Sequence, residues 1–229
     1  MRAIVLSGGL THDFPATTAR LTALLDASGL AAEVHTEVDA ALAALPGAAL
    51  LVVNALRWSM TGPGTPDRYR APAAAEGASP SGPARAALDT HLAAGGGVLG
   101  MHTAAICFDD WPAWGARLGG AWEWERSKHP PLGPSVEVSV AGEHPLTAGL
   151  DGFTLVDEVY DDLQLAPDIT GLLSAPQPGT GAVQPLLWAR EHGGGRVVHD
   201  ALGHHPPSYD VPEHHEIVRR AIHWTTGRT

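Results

Sequence analysis

The sequence predicts an α/β fold with a mostly parallel central sheet and helices on both of its faces. Three observations predict it. Short, continuously apolar runs recur through the first hundred residues, and segments with apolar residues at helical spacing separate them. The second half then adds a run in which valine alternates with polar residues. Strands buried on both faces read as continuous apolar runs, whereas half-exposed strands alternate. Regular alternation of strand and helix implies parallel strands joined by right-handed crossovers.

Residues 3–6 are the first apolar run, ending in Ser7-Gly8-Gly9. Residues 17–30 place Leu21, Leu24, Leu25 and Leu30 at helical spacing, with Asp13 as candidate N-cap and Pro15 early in the helix. Residues 32–36 read as a second strand, 38–45 as a second helix and 48–53 as a third apolar strand. Residues 57–83 are dense in Pro, Gly and Ala and lack apolar periodicity. A structureless stretch of that length is either a lid or a disordered insertion, and its place after a parallel strand favours proximity to a site. Residues 85–94 are helical and 98–101 form the fourth strand. Residues 136–140 alternate, 153–159 and 186–188 are further strand candidates, and Gly193-Gly194-Gly195 turns into a strand over 196–199. Residues 211–226 form a closing helix with Ile217, Val218, Ala221, Ile222 and Trp224 on its core face. The second half continues the same sheet and adds an antiparallel extension. With no repeat or boundary, residues 1–229 are expected to form a single domain.

The 229 residues are 44% hydrophobic, enough for a substantial core. A net charge of −11 argues against nucleic acid and against an anionic membrane surface, since both are bound through Lys and Arg. No apolar run approaches the roughly 20 residues that span a bilayer, and the start reads as a buried strand instead of a signal peptide. The lone Cys107 excludes an internal disulfide and suits the reducing cytoplasm.

The segment Gly95-Gly96-Gly97-Val98-Leu99-Gly100-Met101-His102-Thr103-Ala104-Ala105 reads as a buried strand, a sharp turn and the start of a helix. In α/β hydrolases and class I glutamine amidotransferases such an elbow presents a Ser or Cys nucleophile. Here His102 holds the tip. Cys107 lies five residues on and reads as a small buried hydrophobe.

Further local patterns follow in order. They are Gly8-Gly9 with Thr11-His12-Asp13-Phe14, Leu118-Gly119-Gly120, His129-Pro130, Glu143-His144-Pro145-Leu146-Thr147-Ala148-Gly149-Leu150, Asp157-Glu158-Val159-Tyr160, Trp188-Ala189-Arg190, Gly195-Arg196-Val197-Val198 and Leu202-Gly203-His204. Together with the elbow they span nearly the whole chain. The set resembles the ThuA-like family, named for trehalose utilisation, within the class I glutamine amidotransferase-like superfamily. The resemblance implies a flavodoxin-like three-layer sandwich and a role in carbohydrate metabolism, on disaccharides or their keto derivatives. Two departures affect the substrate: Val198-His199-Asp200 replaces an aromatic-rich strand, and the 57–83 stretch is longer than is typical. The superfamily's glutaminase base follows a late strand as His-x-Glu, but His204-His205-Pro206 lacks the Glu. With no thiol at the elbow either, glutaminase activity is not expected.

His102, Glu158 and His204 are the candidate catalytic groups. A helix N-terminus at the elbow would favour neutral imidazole at His102, which can act as base, donor or metal ligand. Alternation along a strand puts Glu158 and Tyr160 on one face and Asp157 on the other, and a carboxylate beside a phenol suits sugar hydroxyls or proton transfer. His204 faces the elbow if the superfamily topology holds. His12, His129, Tyr160 and Trp122 are candidate substrate-binding residues; His129 precedes Pro130, which favours an extended backbone. Blander roles remain open: a turn filler for His102, a solvated strand end for Glu158. Trp111, Trp114, Trp122 and Trp124 form either a carbohydrate platform or an aromatic mini-core. His144 reads as structural within the turn Gly142-Glu143-His144-Pro145, and His214, His215 and His223 as surface or packing residues. None of the usual zinc spacings is present. A site for a divalent metal could still assemble from His12, His102, His129 and His204 with Glu158, and would be catalytic in type. The leading expectation is a cytoplasmic carbohydrate enzyme of hydrolase or isomerase/lyase type. The alternatives are a non-catalytic sugar-binding module, or a subunit of a larger complex or homo-oligomer that uses the long loop or the tryptophans as an interface.

Overall fold

Alternate residues of each apolar run feed two cores, one on each face of the sheet. In β1 (Arg2–Gly9), Ala3 and Val5 join one core while Ile4 and Leu6 join the other. The chain continues through α1 (Phe14–Ala27), β2 (Ala31–His35), α2 (Val38–Ala43) and β3 (Leu50–Leu56), where Leu50 and Val52 oppose Leu51 and Val53 in the same way. Next come α3 (Ala73–Glu76), α4 (Gly82–Ala93), β4 (Gly97–Met101), α5 (Pro112–Leu118) and β5 (Gly120–Ala121). The second half holds β6 (Ser135–Val140), β7 (Phe153–Val156), β8 (Gln164–Leu165), β9 (Thr170–Pro176), β10 (Val183–His192), β11 (Gly195–Asp200) and α6 (Pro212–Thr225). This computed structural model describes residues 1–61, 65–133, 135–141 and 143–228. Residues 62–64 of the predicted insertion, Gly142 of the predicted turn and Thr229 of the predicted domain lie outside them.

Nine strands pair in the order β2-β1-β3-β4-β11-β10-β9-β6-β7. The first five are parallel to one another, in the 2-1-3-4-5 order of flavodoxin-like sheets. From β11 outward the pairings are antiparallel, which is the predicted extension. Leucines of α1 and the Ile217–Ile222 face of α6 share one core, and α2, α4 and α5 cover the other face. Ligand crevices in such sheets open at the carboxyl ends of the parallel strands, beside the reversal between β1 and β3. There, Ser7 Oγ lies 2.6 Å from Thr18 Oγ1, and Asn54 Nδ2 donates to Thr17 and Thr18 at 3.0 and 2.9 Å. This buried network ties the start of α1 to β1 and β3. Asp13 caps α1 as predicted, its Oδ1 accepting from the Ala16 N–H at 3.1 Å.

The residues of 57–83 that are described are not structureless. They hold a 3-10 turn over Asp67–Tyr69, then α3. Buried Arg57 pairs with Glu76 and donates to the Thr36 carbonyl at 2.7 Å. Trp58 and Met60 pack with Phe14 and Leu56. Two other expectations shift. The strand predicted over 153–159 stops at Val156, and a strand absent from the sequence reading, β9, pairs with both β10 and β6.

Candidate functional site

The elbow is built as predicted up to its tip. His102 leaves β4 with φ +41°, a left-handed conformation that costs a non-glycine residue about 1–2 kcal/mol. Close packing beneath the tip requires Gly100: a Cβ there would meet Leu118 Cδ1 at 2.7 Å and His199 Nδ1 at 3.1 Å. No α-helix follows the tip. His102–Ile106 form a single 3-10 turn, and the next helix starts at Pro112. The helix-terminus effect expected at His102 therefore lacks its helix, because a macrodipole needs several aligned turns.

Hydrogen bonding orients the His102 ring instead. Nδ1 lies 2.7 Å from the Ala201 carbonyl. A carbonyl only accepts, so Nδ1 carries a proton, and in the neutral ring Nε2 presents a lone pair. The Tyr160 hydroxyl lies 3.0 Å from that nitrogen and can donate to it.

Glu158 is buried, so it is no solvated strand end. Its Oε2 lies 3.5 Å from His102 Nε2 and 3.3 Å from His204 Nδ1, and its Oε1 lies 3.2 Å from His129 Nδ1. Burial opposes ionisation of the carboxyl, but the imidazoles of His102, His129 and His204 around it outweigh burial and hold its pKa below the ordinary value. The bond to Glu158 raises the His129 pKa in return, against partial burial. His204 Nδ1 is 3.2 Å from His102 Nε2, so His204 does face the elbow. His12 packs its ring against both, with centroids 5.2 Å from His102 and 4.6 Å from His204. Its Nδ1 lies 3.3 Å from the Leu10 carbonyl, while its Nε2 is buried without a partner. Burial, then the nearby His102 and His204, lower the His12 pKa to about 4. His12, His102, Glu158 and His204 each offer one ligand atom within 4.8 Å of the others. His129 stands outside this set of four, on the far oxygen of Glu158.

A crevice of about 470 Å³ opens over His12, His129, Glu158 and His204, while buried His102 is not on its wall; the volume falls within the ~300–1,000 Å³ of typical ligand pockets. The predicted tryptophan cluster divides around it. Trp111 and Trp114 belong to the core: Trp114 Nε1 donates to the Ala104 carbonyl at 2.8 Å, and Arg85 and Arg117 flank the Trp111 ring. Trp122 and Trp124 line the crevice, where Trp122 packs edge-on to Tyr160 at 5.4 Å. Trp58 and Tyr69 complete the wall, with Trp58 stacked 6.1 Å from Trp124. A larger hollow of about 810 Å³ beside residues 143–152 contains His144. That ring accepts from the Leu146 N–H and packs on Trp224, a structural role as expected.

The sequence reading missed Trp58, Tyr69 and Asp157 as site residues. Asp157 does lie on the other side from Glu158, and there it fixes the loop that carries His204. Its Oδ2 accepts from the Gly203 N–H at 2.8 Å and the Ser208 hydroxyl at 2.6 Å, and its Oδ1 accepts from the His204 N–H at 3.3 Å. The only prior signal was its place beside Glu158. Cys107 is inert as expected: its Sγ donates to the Ala55 carbonyl at 3.0 Å, and burial pushes the thiol up to about 12. Buried His199 packs on Trp188 at 4.4 Å. His214 is a packing residue and not a surface one, held between Asp200 and the Ser208 carbonyl.

The ThuA family model, described as trehalose utilisation, matches residues 2–225. The chain belongs to the ThuA family. No curated protein matches it in a sequence comparison. Among solved structures, a ThuA-like protein of Parabacteroides merdae is similar at 17% identity and a TM-score of 0.79, over 100% of this chain and 91% of that one. A ThuA-like protein of Bacteroides uniformis gives 18% identity and a TM-score of 0.69, over 98% and 91%. A cold-adapted β-galactosidase of Rahnella sp. R3 gives 15% and 0.61; it aligns with 96% of this ThuA chain over only 30% of its own length. At these identities the likenesses carry the fold alone. Among the described residues, no helix is long and apolar enough to cross a membrane.

Proposed function

We propose that this ThuA family member is a cytoplasmic enzyme that acts on a sugar or keto-sugar by proton transfer among His102, Glu158 and His204. One observation carries the reading: a buried carboxylate, set among three imidazoles, forms the floor of a crevice walled by indoles. Indole faces stack on the C–H surfaces of sugars, and the polar floor then meets the hydroxyl or carbonyl groups. Glu158, kept ionised, is the base for a proton beside a carbonyl or on a water. His204, in contact with both Glu158 and His102, returns the proton to the leaving or developing oxygen. His12, His129, Tyr160 and Trp122 surround the substrate. The family's description supports a carbohydrate substrate. Hydrolysis and isomerisation or elimination all suit these groups. Glutaminase chemistry does not, because the elbow tip is an imidazole and the only thiol is buried.

The test is a turnover screen of disaccharides and their keto derivatives with the wild type and Glu158→Gln. The expected outcome is turnover that drops by about 10²–10⁴-fold in the variant, the usual worth of a positioned acid or base. Undiminished turnover in Glu158→Gln overturns the assignment. Sugar binding without turnover overturns the enzyme in favour of a binding module.

A further inference from the structure

The same four side chains also have the makings of a metal centre. Three of their separations are 3.2 Å (His102 Nε2 to His204 Nδ1), 3.3 Å (His204 Nδ1 to Glu158 Oε2) and 3.5 Å (His102 Nε2 to Glu158 Oε2). Ligand atoms about 2.0–2.1 Å from a tetrahedral zinc ion lie roughly 3.3 Å apart. These three atoms therefore already mark one face of such a tetrahedron. His12 offers a fourth ligand atom within 4.8 Å of all three, and its Nε2 is buried without a partner.

Hydrogen bonding alone leaves this cluster incomplete. With Nδ1 committed to Ala201, His102 Nε2 is an acceptor served by the Tyr160 hydroxyl. His12 Nε2 receives nothing, and an unsatisfied buried polar atom costs about 1–3 kcal/mol. A cation would take up the His12 lone pair, and that of His102 in place of Tyr160. The surroundings also resemble the second layer of protein metal sites, where each ligating imidazole donates its other N–H to a carbonyl or carboxylate. His102 Nδ1 has Ala201, His12 Nδ1 has Leu10, and the far oxygen of Glu158 has His129.

We propose that His12, His102, His204 and Glu158 bind one divalent first-row cation, with zinc the best match to three imidazoles and one carboxylate. The inference rests on reading this crevice as the reaction site; with the cation bound, His102, Glu158 and His204 serve as its ligands instead of as proton carriers. With a fifth position opened beside the four ligands, such a cation would polarise a sugar carbonyl or hydroxyl, or activate a water. Tyr160 and His129 are left free to bond the substrate.

The full chain, purified without chelator or nickel affinity, is assayed for bound metal, stripped with chelator, and titrated with Co²⁺ and then Zn²⁺. The expected result is one ion per chain, visible absorption bands with Co²⁺ that Zn²⁺ displaces, and binding weakened more than about a hundredfold in both His12→Ala and His204→Ala. Loss of a direct ligand should exceed the 10–100-fold typical of second-layer changes. His12 is only partly buried and contributes little to the core, so its variant keeps the test usable if another fails to fold. Circular dichroism reports folding, and His223→Ala, on α6, serves as the control that binds like wild type. Failure of the folded wild type to bind either ion overturns the inference, as does wild-type affinity in folded His12→Ala and His204→Ala. Sugar turnover by the stripped enzyme also overturns it while leaving the proposed function intact. Stoichiometric metal with no sugar turnover does the reverse.

Discussion

Asp157 shows how a residue outside the crevice can position one within it. It holds the Gly203 and His204 amides, and through them the imidazole opposite Glu158. Asp157→Asn should leave the circular dichroism spectrum unchanged yet lower turnover about 10–100-fold, the usual cost of losing such a supporting bond. A second buried pair acts on stability. Burial favours neutral His214, but the Asp200 carboxylate 2.9 Å away outweighs it and raises the imidazole pKa above 6.5. The stabilisation from this pair is therefore full below pH ~6.5 and is lost as pH rises through the raised value. Melting temperature of the wild type should fall over that rise, and His214→Gln should lack that component of the fall; equal pH slopes would refute the pairing. At this scale much of the site was legible: His12, His102, Glu158 and His204 are chemically capable groups at or just beyond strand ends. Asp157 was not, because its partners are backbone amides some 46 residues away in sequence.

The 57–83 stretch shows how composition can conceal an element. Rich in Pro, Gly and Ala, it has no periodicity to read, yet Arg57–Glu76 and Ser59–Asp109 contacts anchor it and Trp58 and Tyr69 wall the crevice. Such anchors are long-range polar contacts, invisible to a local pattern. Strand β9 was hidden for a related reason. Gly171 and Pro176 punctuate it like a loop, and its identity comes from pairing with β10 and β6. β1, β3 and β4 were legible because their burial on both faces is written into consecutive residues, whereas edge strand β2 is largely exposed. Trp124 is 49% exposed, so Trp124→Ala spares the core. The variant should raise KM for the sugar about threefold to tenfold, in keeping with ~0.5–1.5 kcal/mol for an aromatic contact, with kcat unchanged. Equal KM values would remove Trp124 from the binding wall.

For the whole molecule, one sheet backs both cores, and its antiparallel strands extend directly from β11. Calorimetry should therefore show one cooperative transition, with van't Hoff and calorimetric enthalpies in agreement. Two transitions would mean that the β6, β7 and β9 extension melts by itself. The parallel half and the antiparallel extension were foreseeable from alternation of element types, the flavodoxin-like order came from the family resemblance, and the strand order within the extension depends on pairings that no local pattern encodes. The convergence of His12 and His204 from opposite ends of the chain has one more consequence. An ion held between them is a clasp that can close only on the folded chain. At a free concentration a hundred times its dissociation constant, such an ion adds about 2.7 kcal/mol of stability. The heat resistance of this protein would then be set partly by the mineral content of its surroundings, and a chelator would act on it as a mild denaturant.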